Sequence, residues 1–206
     1  MMAAQIRPVR PDDLDALYDI CLKTGDSGQD GTALYADPRL VGEVYAAPYA
    51  VLQPDLAFVV EDDQGVAGYV IGTDDTRAFE ARLEAQWWPR LRAAHPDPRP
   101  TPADQRSRDQ QRAAQIHRPV AEPQALVAAY PAHLHINLLP RLQGQDLGRR
   151  MIDTWLEAVR ARGVRGVHLG CDAVNHRALK FYDAYGWRRF ETDPPWPGTV
   201  WMVIDL

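Results

Sequence analysis

The last third of the chain constrains its architecture most. Residues 133–139 alternate, with Leu134, Ile136 and Leu138 on one face and His133, His135 and Asn137 on the other. This predicts a strand that Pro140 ends. Residues 143–148 form a glycine-bearing loop. Residues 149–162 then carry Ile152, Trp155, Leu156 and Val159 at helical spacing, and Gly163 closes that helix. Residues 164–170 predict another strand. Asn175 opens a helix through Tyr185, which Gly186 ends, and residues 187–191 and 199–204 give the last strands. Strands alternating with helices in this way imply a mixed sheet with helices on both faces, an α/β fold.

The N-terminal half supplies simpler units. Residues 6–9 predict a first strand. Pro11 opens a helix whose positive end suits Asp12 and Asp13, and Leu14, Leu17, Tyr18 and Cys21 form its apolar face until Gly25. Residues 25–31, Gly-Asp-Ser-Gly-Gln-Asp-Gly, read as a loop carrying Asp26 and Asp30. Residues 37–49 predict a second helix broken by Pro48. Residues 56–61 and 66–72 flank Asp62-Asp63-Gln64-Gly65, a hairpin signal.

Residues 73–130 then read as an insertion between the third and fourth strands, lying over one end of the sheet. It begins with a helix over 76–94, where Phe79, Leu83, Trp87 and Leu91 recur at four-residue steps. Pro96, Pro98, Pro100 and Pro102 forbid regular structure, and residues 103–116 are polar enough for an exposed helix. With this insertion, residues 1–206 are expected to form a single domain.

Composition excludes several function classes. Hydrophobic residues make up 46% of the chain, which is enough to bury a core. The net charge of -5 disfavours binding to a nucleic-acid backbone. The two cysteines, Cys21 and Cys171, give neither a disulfide framework nor thiol ligand spacing, and no metal is expected. Residues 1–7 contain no apolar signal region, and no stretch reaches the length of a membrane span. The expectation is a cytoplasmic protein without a membrane partner.

Two motifs carry the chemistry. Residues 140–150, Pro-Arg-Leu-Gln-Gly-Gln-Asp-Leu-Gly-Arg-Arg, join a strand to a helix. Amides and the helix dipole at such a junction can hold a diphosphate, although a plain turn reads equally well from this segment alone. Asn175-His176-Arg177-Ala178-Leu179-Lys180-Phe181-Tyr182, followed by Gly186-Trp187, is an Asn-capped helix whose Tyr182 reads equally as a core tyrosine.

Together, one helix and one strand apart, the motifs resemble those of the GNAT N-acetyltransferases. That signature is Gln/Arg-x-x-Gly-x-Gly/Ala after the fourth strand and Asn-x-x-Ala-x-x-Phe-Tyr-x-x-x-Gly-Phe after the fifth. This chain supplies Gln143-x-x-Asp146-x-Gly148 and Asn175-x-x-Ala178-x-x-Phe181-Tyr182-x-x-x-Gly186-Trp187. The resemblance spans residues 6–204 apart from the insertion, and is strongest over 134–187. Leu22-Lys23-Thr24-Gly25-Asp26 is also similar to the acetyltransferase-like domains of O-GlcNAcase-type proteins.

The resemblance implies an acyl-CoA N-acyltransferase fold whose sheet splays between strands 4 and 5, acetyl-CoA as cofactor, and direct acetyl transfer to a primary amine on a small molecule or peptide. It implies cofactor contacts from the Leu138 and Leu139 main chain, from Gln143, Gly144, Gln145, Asp146, Leu147, Gly148 and Arg149 at the diphosphate, and from Asn175 and Tyr182. Tyr182 would protonate the departing thiolate. His135 leads as general base and His133 follows, with partly exposed strand histidines as the other reading. His168 and Asp172 are weaker candidates. Asp26 and Asp30 would attract a cationic acceptor unless they are a solvated acidic loop. Trp87 and Trp88 would roof the cleft, unless they pack in the core or form an oligomer contact. A homodimer is common for such folds.

The family's glycine is replaced by Asp146, a carboxylate placed where a diphosphate is expected. The alternative is therefore a non-catalytic module that binds CoA or a protein, in the latter case through the Pro-rich insertion.

Overall fold

The computed structural model describes residues 4–206. Residues 1–3, the start of the expected domain, lie outside the described residues. The strands are β1 (Gln5–Pro8), β2 (Ala57–Asp62), β3 (Gly65–Thr73), β4 (Ala132–Leu138), β5 (Gly166–Asp172), β6 (Arg188–Phe190) and β7 (Thr199–Asp205). They form one seven-stranded sheet in the order β1-β2-β3-β4-β5-β7-β6. Neighbouring strands pair antiparallel except β4 and β5, which are parallel.

The helices divide between the two faces. α1 (Leu14–Lys23), α2 (Leu40–Tyr45) and α3 (Ala47–Leu52) lie on the side of His133, His135 and Asn137. α4 (Thr76–Arg82), α5 (Trp88–Ala94), α6 (Arg108–His117) and α7 (Gln124–Ala129) belong to the insertion and extend that layer. α8 (Leu147–Arg160) covers the opposite face of β2, β3 and β4. Its Trp155 is fully buried and donates its indole N–H to the Leu56 carbonyl at 3.0 Å. α9 (His176–Tyr185) packs beside α8, where Phe181 meets Gly148.

Several expectations change in detail. The predicted second helix is two short helices that break at Ala46, and Pro48 falls in the first turn of α3, where its missing N–H costs nothing. A π-helical turn over Leu83–Trp87 joins α4 to α5. The expected exposed helix is α6, which buries Ala113 and Ile116 against the fold. α7 was not anticipated. Trp87 and Trp88 are core residues, each 5% exposed, with the Trp87 indole donating to the Glu43 carbonyl at 2.8 Å. Both cysteines are free and buried. Among the described residues no helix is long and apolar enough to cross a membrane.

Candidate active site

The geometry of the site begins with incomplete strand pairing. β4 and β5 meet only at Ala132↔Val167 and His133↔His168, although each has seven residues. Beyond His133, β4 stays paired with β3 as far as Leu138, while β5 stays paired with β7 as far as Asp172. The two halves of the sheet therefore open like a V. A row of main-chain groups along the C-terminal half of β4 is left free for an extended ligand.

The predicted diphosphate turn lies at the mouth of that V. Gly144 (φ 73°) and Asp146 (φ 59°) take left-handed conformations and turn the chain into α8. α8 begins at Leu147, two residues earlier than the apolar pattern indicates. The first α8 amide to find a helical carbonyl is Arg150 N–H, donating to Asp146 at 3.1 Å. Asp146 makes no side-chain cap, so the amides of Leu147, Gly148 and Arg149 face outward at the positive end of a 14-residue helix. The Asp146 carboxylate is exposed, with the Arg149 guanidinium 4.0 Å away. Gln145 is exposed and donates its amide to the Arg141 carbonyl at 2.9 Å. This cradle fits a diphosphate in donor chemistry and in charge apart from Asp146.

Other predicted contacts are already engaged in part. The Leu139 N–H donates to the Ala67 carbonyl at 2.8 Å, across the β3 side. The Leu138 carbonyl accepts from the Gln143 side chain at 2.7 Å, and Arg177 of α9 donates to the same Gln143 carboxamide. Gln143 thus ties the end of β4 to α9. Asn175 caps α9 by accepting from the Ala178 amide at 3.1 Å, and its amide nitrogen lies beside Gly28. Tyr182 is 8% exposed. It adjoins Cys171 on the α8 side of β5, and burial pushes its phenol well above the usual tyrosine range, with Cys171 adding to the effect. A phenol held that way keeps its proton near neutrality.

His133 and His135 lie on the opposite face, in a hydrogen-bond chain whose tautomers can be assigned by elimination. The Pro131 carbonyl can only accept, so the Thr76 hydroxyl donates to it at 2.7 Å. Thr76 Oγ1 must then accept from His133 Nδ1–H, 2.8 Å away. Burial holds the His133 pKa down at about 3, so the ring is neutral and its Nε2 accepts from the Tyr49 hydroxyl at 2.7 Å. The Tyr49 oxygen accepts in turn from His135 Nε2–H at 3.0 Å. Burial holds His135 at about 4. One lone pair, on His135 Nδ1, is left over on a half-buried residue.

His168 is fully buried beside this cluster. Its Nδ1–H donates to the Tyr130 carbonyl at 2.6 Å, and its Nε2 contacts the Glu122 carboxylate. Burial alone would raise the Glu122 pKa, but the neighbouring histidines bring it down to about 2. Glu122, His133 and His168 bring ligating atoms within 4.8 Å of one another. Each imidazole nitrogen there already has a protein partner, which fits a hydrogen-bonded cluster better than a cation cage.

The depressed histidines predict a pH dependence of stability. Between about pH 6.5 and about pH 4 the unfolded chain binds protons that His133 and His135 refuse in the fold. Stability is complete above that window and falls as pH drops through it, by up to about 1.4 kcal/mol per pH unit for each histidine. Denaturant titrations at about pH 7 and about pH 5 measure this, and equal unfolding free energies would contradict it.

The acidic loop does not offer two free carboxylates. Asp30 accepts from the amide and hydroxyl of Thr32 at 2.8 and 2.5 Å, and these bonds lower its pKa. Asp26 faces Arg108 of α6 at 3.9 Å. The loop acts instead as a strap across the V. Asn137 of β4 donates to Thr24 at the end of α1, and the Ser27 hydroxyl donates to Asp172 of β5 at 2.8 Å. Asp172 has this structural partner.

Comparison with known proteins agrees with this geometry. The model of the acetyltransferase (GNAT) family matches residues 32–187. The chain belongs to that family. Among solved GNAT-fold structures, that of SsHAT is 41% identical, with a TM-score of 0.88, covering 99% of this chain and 98% of its own. The PaiA N-acetyltransferase of Thermoplasma acidophilum, solved with coenzyme A, shares the fold at a TM-score of 0.60 and 12% identity, covering both chains completely. Protein O-GlcNAcase of Rattus norvegicus is 25% identical over 183 residues, which is 88% of this chain. The chain spans about a fifth of that relative's length. In this GNAT chain, Tyr49, Thr76 and Glu122 complete the histidine cluster of the candidate site, and sequence reasoning missed them. Nothing local marks them, because their partners lie on β4 and β5, far along the chain.

Proposed function

We propose that the chain is an acetyl-CoA-dependent N-acetyltransferase that passes the acetyl group directly to a primary amine. The observation that carries this reading is the open angle between β4 and β5, with the uncapped N-terminus of α8 at its mouth. Acetyl-CoA supplies an activated thioester. The amides of Leu147, Gly148 and Arg149 and the turn from Gln143 to Asp146 would hold its diphosphate, and the free edge of β4 and Asn175 would hold its arm.

Tyr182 and His135 occupy opposite faces of the sheet, so they flank the V from its two sides. Tyr182 donates a proton to the leaving thiolate. His135 Nδ1 takes the proton from the attacking nitrogen. A free alkylamine has a pKa of about 10.4 and must arrive unprotonated. Once its nitrogen bonds to carbon its N–H becomes acidic, and a weak base that is never protonated near neutrality is then sufficient.

Acetyl-CoA at about a hundred times its dissociation constant should add about 2.7 kcal/mol of stability. No thermal shift would remove the reading. Asp146 favours a second reading, a non-catalytic module that holds CoA without transfer or has lost CoA altogether. The first form predicts the shift with no thiol release across a broad amine panel, and the second predicts no shift. Replacing Asp146 with glycine removes the misplaced carboxylate and suits the left-handed backbone there. Tighter CoA binding is expected by calorimetry, and equal or weaker binding would overturn the charge argument.

A further inference from the structure

We propose that Arg112 and Tyr45 form a subsite for an oxyanion, a carboxylate or phosphate, carried by the amine acceptor. This rests on the acetyl-transfer reading above.

Arg112 projects from α6 of the insertion and donates to the Tyr45 hydroxyl, with its guanidinium carbon 5.2 Å from the centre of that ring. Gln115 donates to the same hydroxyl at 2.9 Å. Arg112 Nε is sealed from solvent without an acceptor. Arg7 Nε is sealed in the same way, but the Arg7 charge is met by Asp13 and Glu61, each at 2.6 Å. Arg108, one turn earlier on α6, faces Asp26. Among the described residues no carboxylate lies within 4.0 Å of Arg112. A guanidinium is always charged, and leaving one half-buried without a counter-ion is unfavourable unless a ligand supplies it.

The position of this cation points to the acceptor. The Tyr45 ring meets His135 edge-on at 6.0 Å between centroids, so Arg112 lies one tyrosine away from the free Nδ1 lone pair. It is on the histidine face of the sheet, whereas the diphosphate cradle belongs to α8 on the other face. The flat guanidinium fork matches a carboxylate or phosphate edge. Of the two loop carboxylates that would instead have favoured a cationic acceptor, Asp26 faces Arg108.

The test measures kcat/KM for matched amines: β-alanine against propylamine for the carboxylate arm, and phosphoethanolamine against ethanolamine for the phosphate arm. Wild type should prefer the anionic member of at least one pair by roughly tenfold or more. That ratio should fall toward one in Arg112→Gln and be partly kept in Arg112→Lys, which also serves if the glutamine variant does not fold. Equal rates within both pairs in wild type, or a preference that survives Arg112→Gln, would overturn the subsite and leave the transferase reading standing. If none of the four amines releases thiol, thermal shifts with β-alanine and phosphoethanolamine decide the subsite. Stabilisation abolished by Arg112→Gln supports it, and its absence in wild type overturns it.

Discussion

Replacing Tyr182 with phenylalanine should slow acetyl transfer roughly a hundredfold to ten-thousandfold while acetyl-CoA affinity stays unchanged. The phenol is nearly buried beside Cys171, and its environment keeps it neutral. Loss of the hydroxyl therefore removes a proton donor and little packing volume, since the ring remains against Trp187 and Phe181. Steady-state turnover together with calorimetric CoA binding separates the two effects. Undiminished kcat would show that another group or water protonates the thiolate. Weakened binding with intact kcat would make Tyr182 a cofactor contact only.

His135→Gln should cost a similar factor in kcat, because it removes the one lone pair left over in the Thr76–His133–Tyr49–His135 chain. Tyr49→Phe tests how that lone pair is positioned. Without the tyrosine oxygen, His135 Nε2–H loses its acceptor and the ring is free to exchange tautomers. Tyr49 acts through His135, so its loss should lower kcat more than it changes KM, and the double variant should be no worse than His135→Gln alone. The pH profile provides a further check. With His135 held at about 4, kcat/KM should climb toward the acceptor's own pKa without a step near the ordinary histidine value. A step near neutrality that disappears in His135→Gln would show that the histidine titrates normally, contrary to its buried setting.

Much of the fold could be read locally. Alternation gave β4 to within a residue, apolar spacing gave α8, and the Asn175 cap and the glycine at 186 bounded α9. These signals depend on neighbours two to four residues away, and a sequence contains such neighbours directly. The start of α8 was misplaced by two residues because the left-handed Asp146, and not the apolar pattern, sets it. α7 escaped notice because its apolar pair, Leu126 and Val127, has meaning only against the sheet that buries it.

The amino-acid order by itself determined the two motifs, the α/β alternation around them and which side chains share a face of β4. Each follows from backbone periodicity and capping chemistry within a short window. Only the tertiary structure decided that β4 and β5 part after His133, that a loop straps the opening, and that Glu122, Tyr49 and Thr76 complete the histidine cluster. These facts depend on contacts between residues tens of positions apart. Their geometry is set by how helices and insertion pack on the sheet, and that packing leaves no local trace in the sequence.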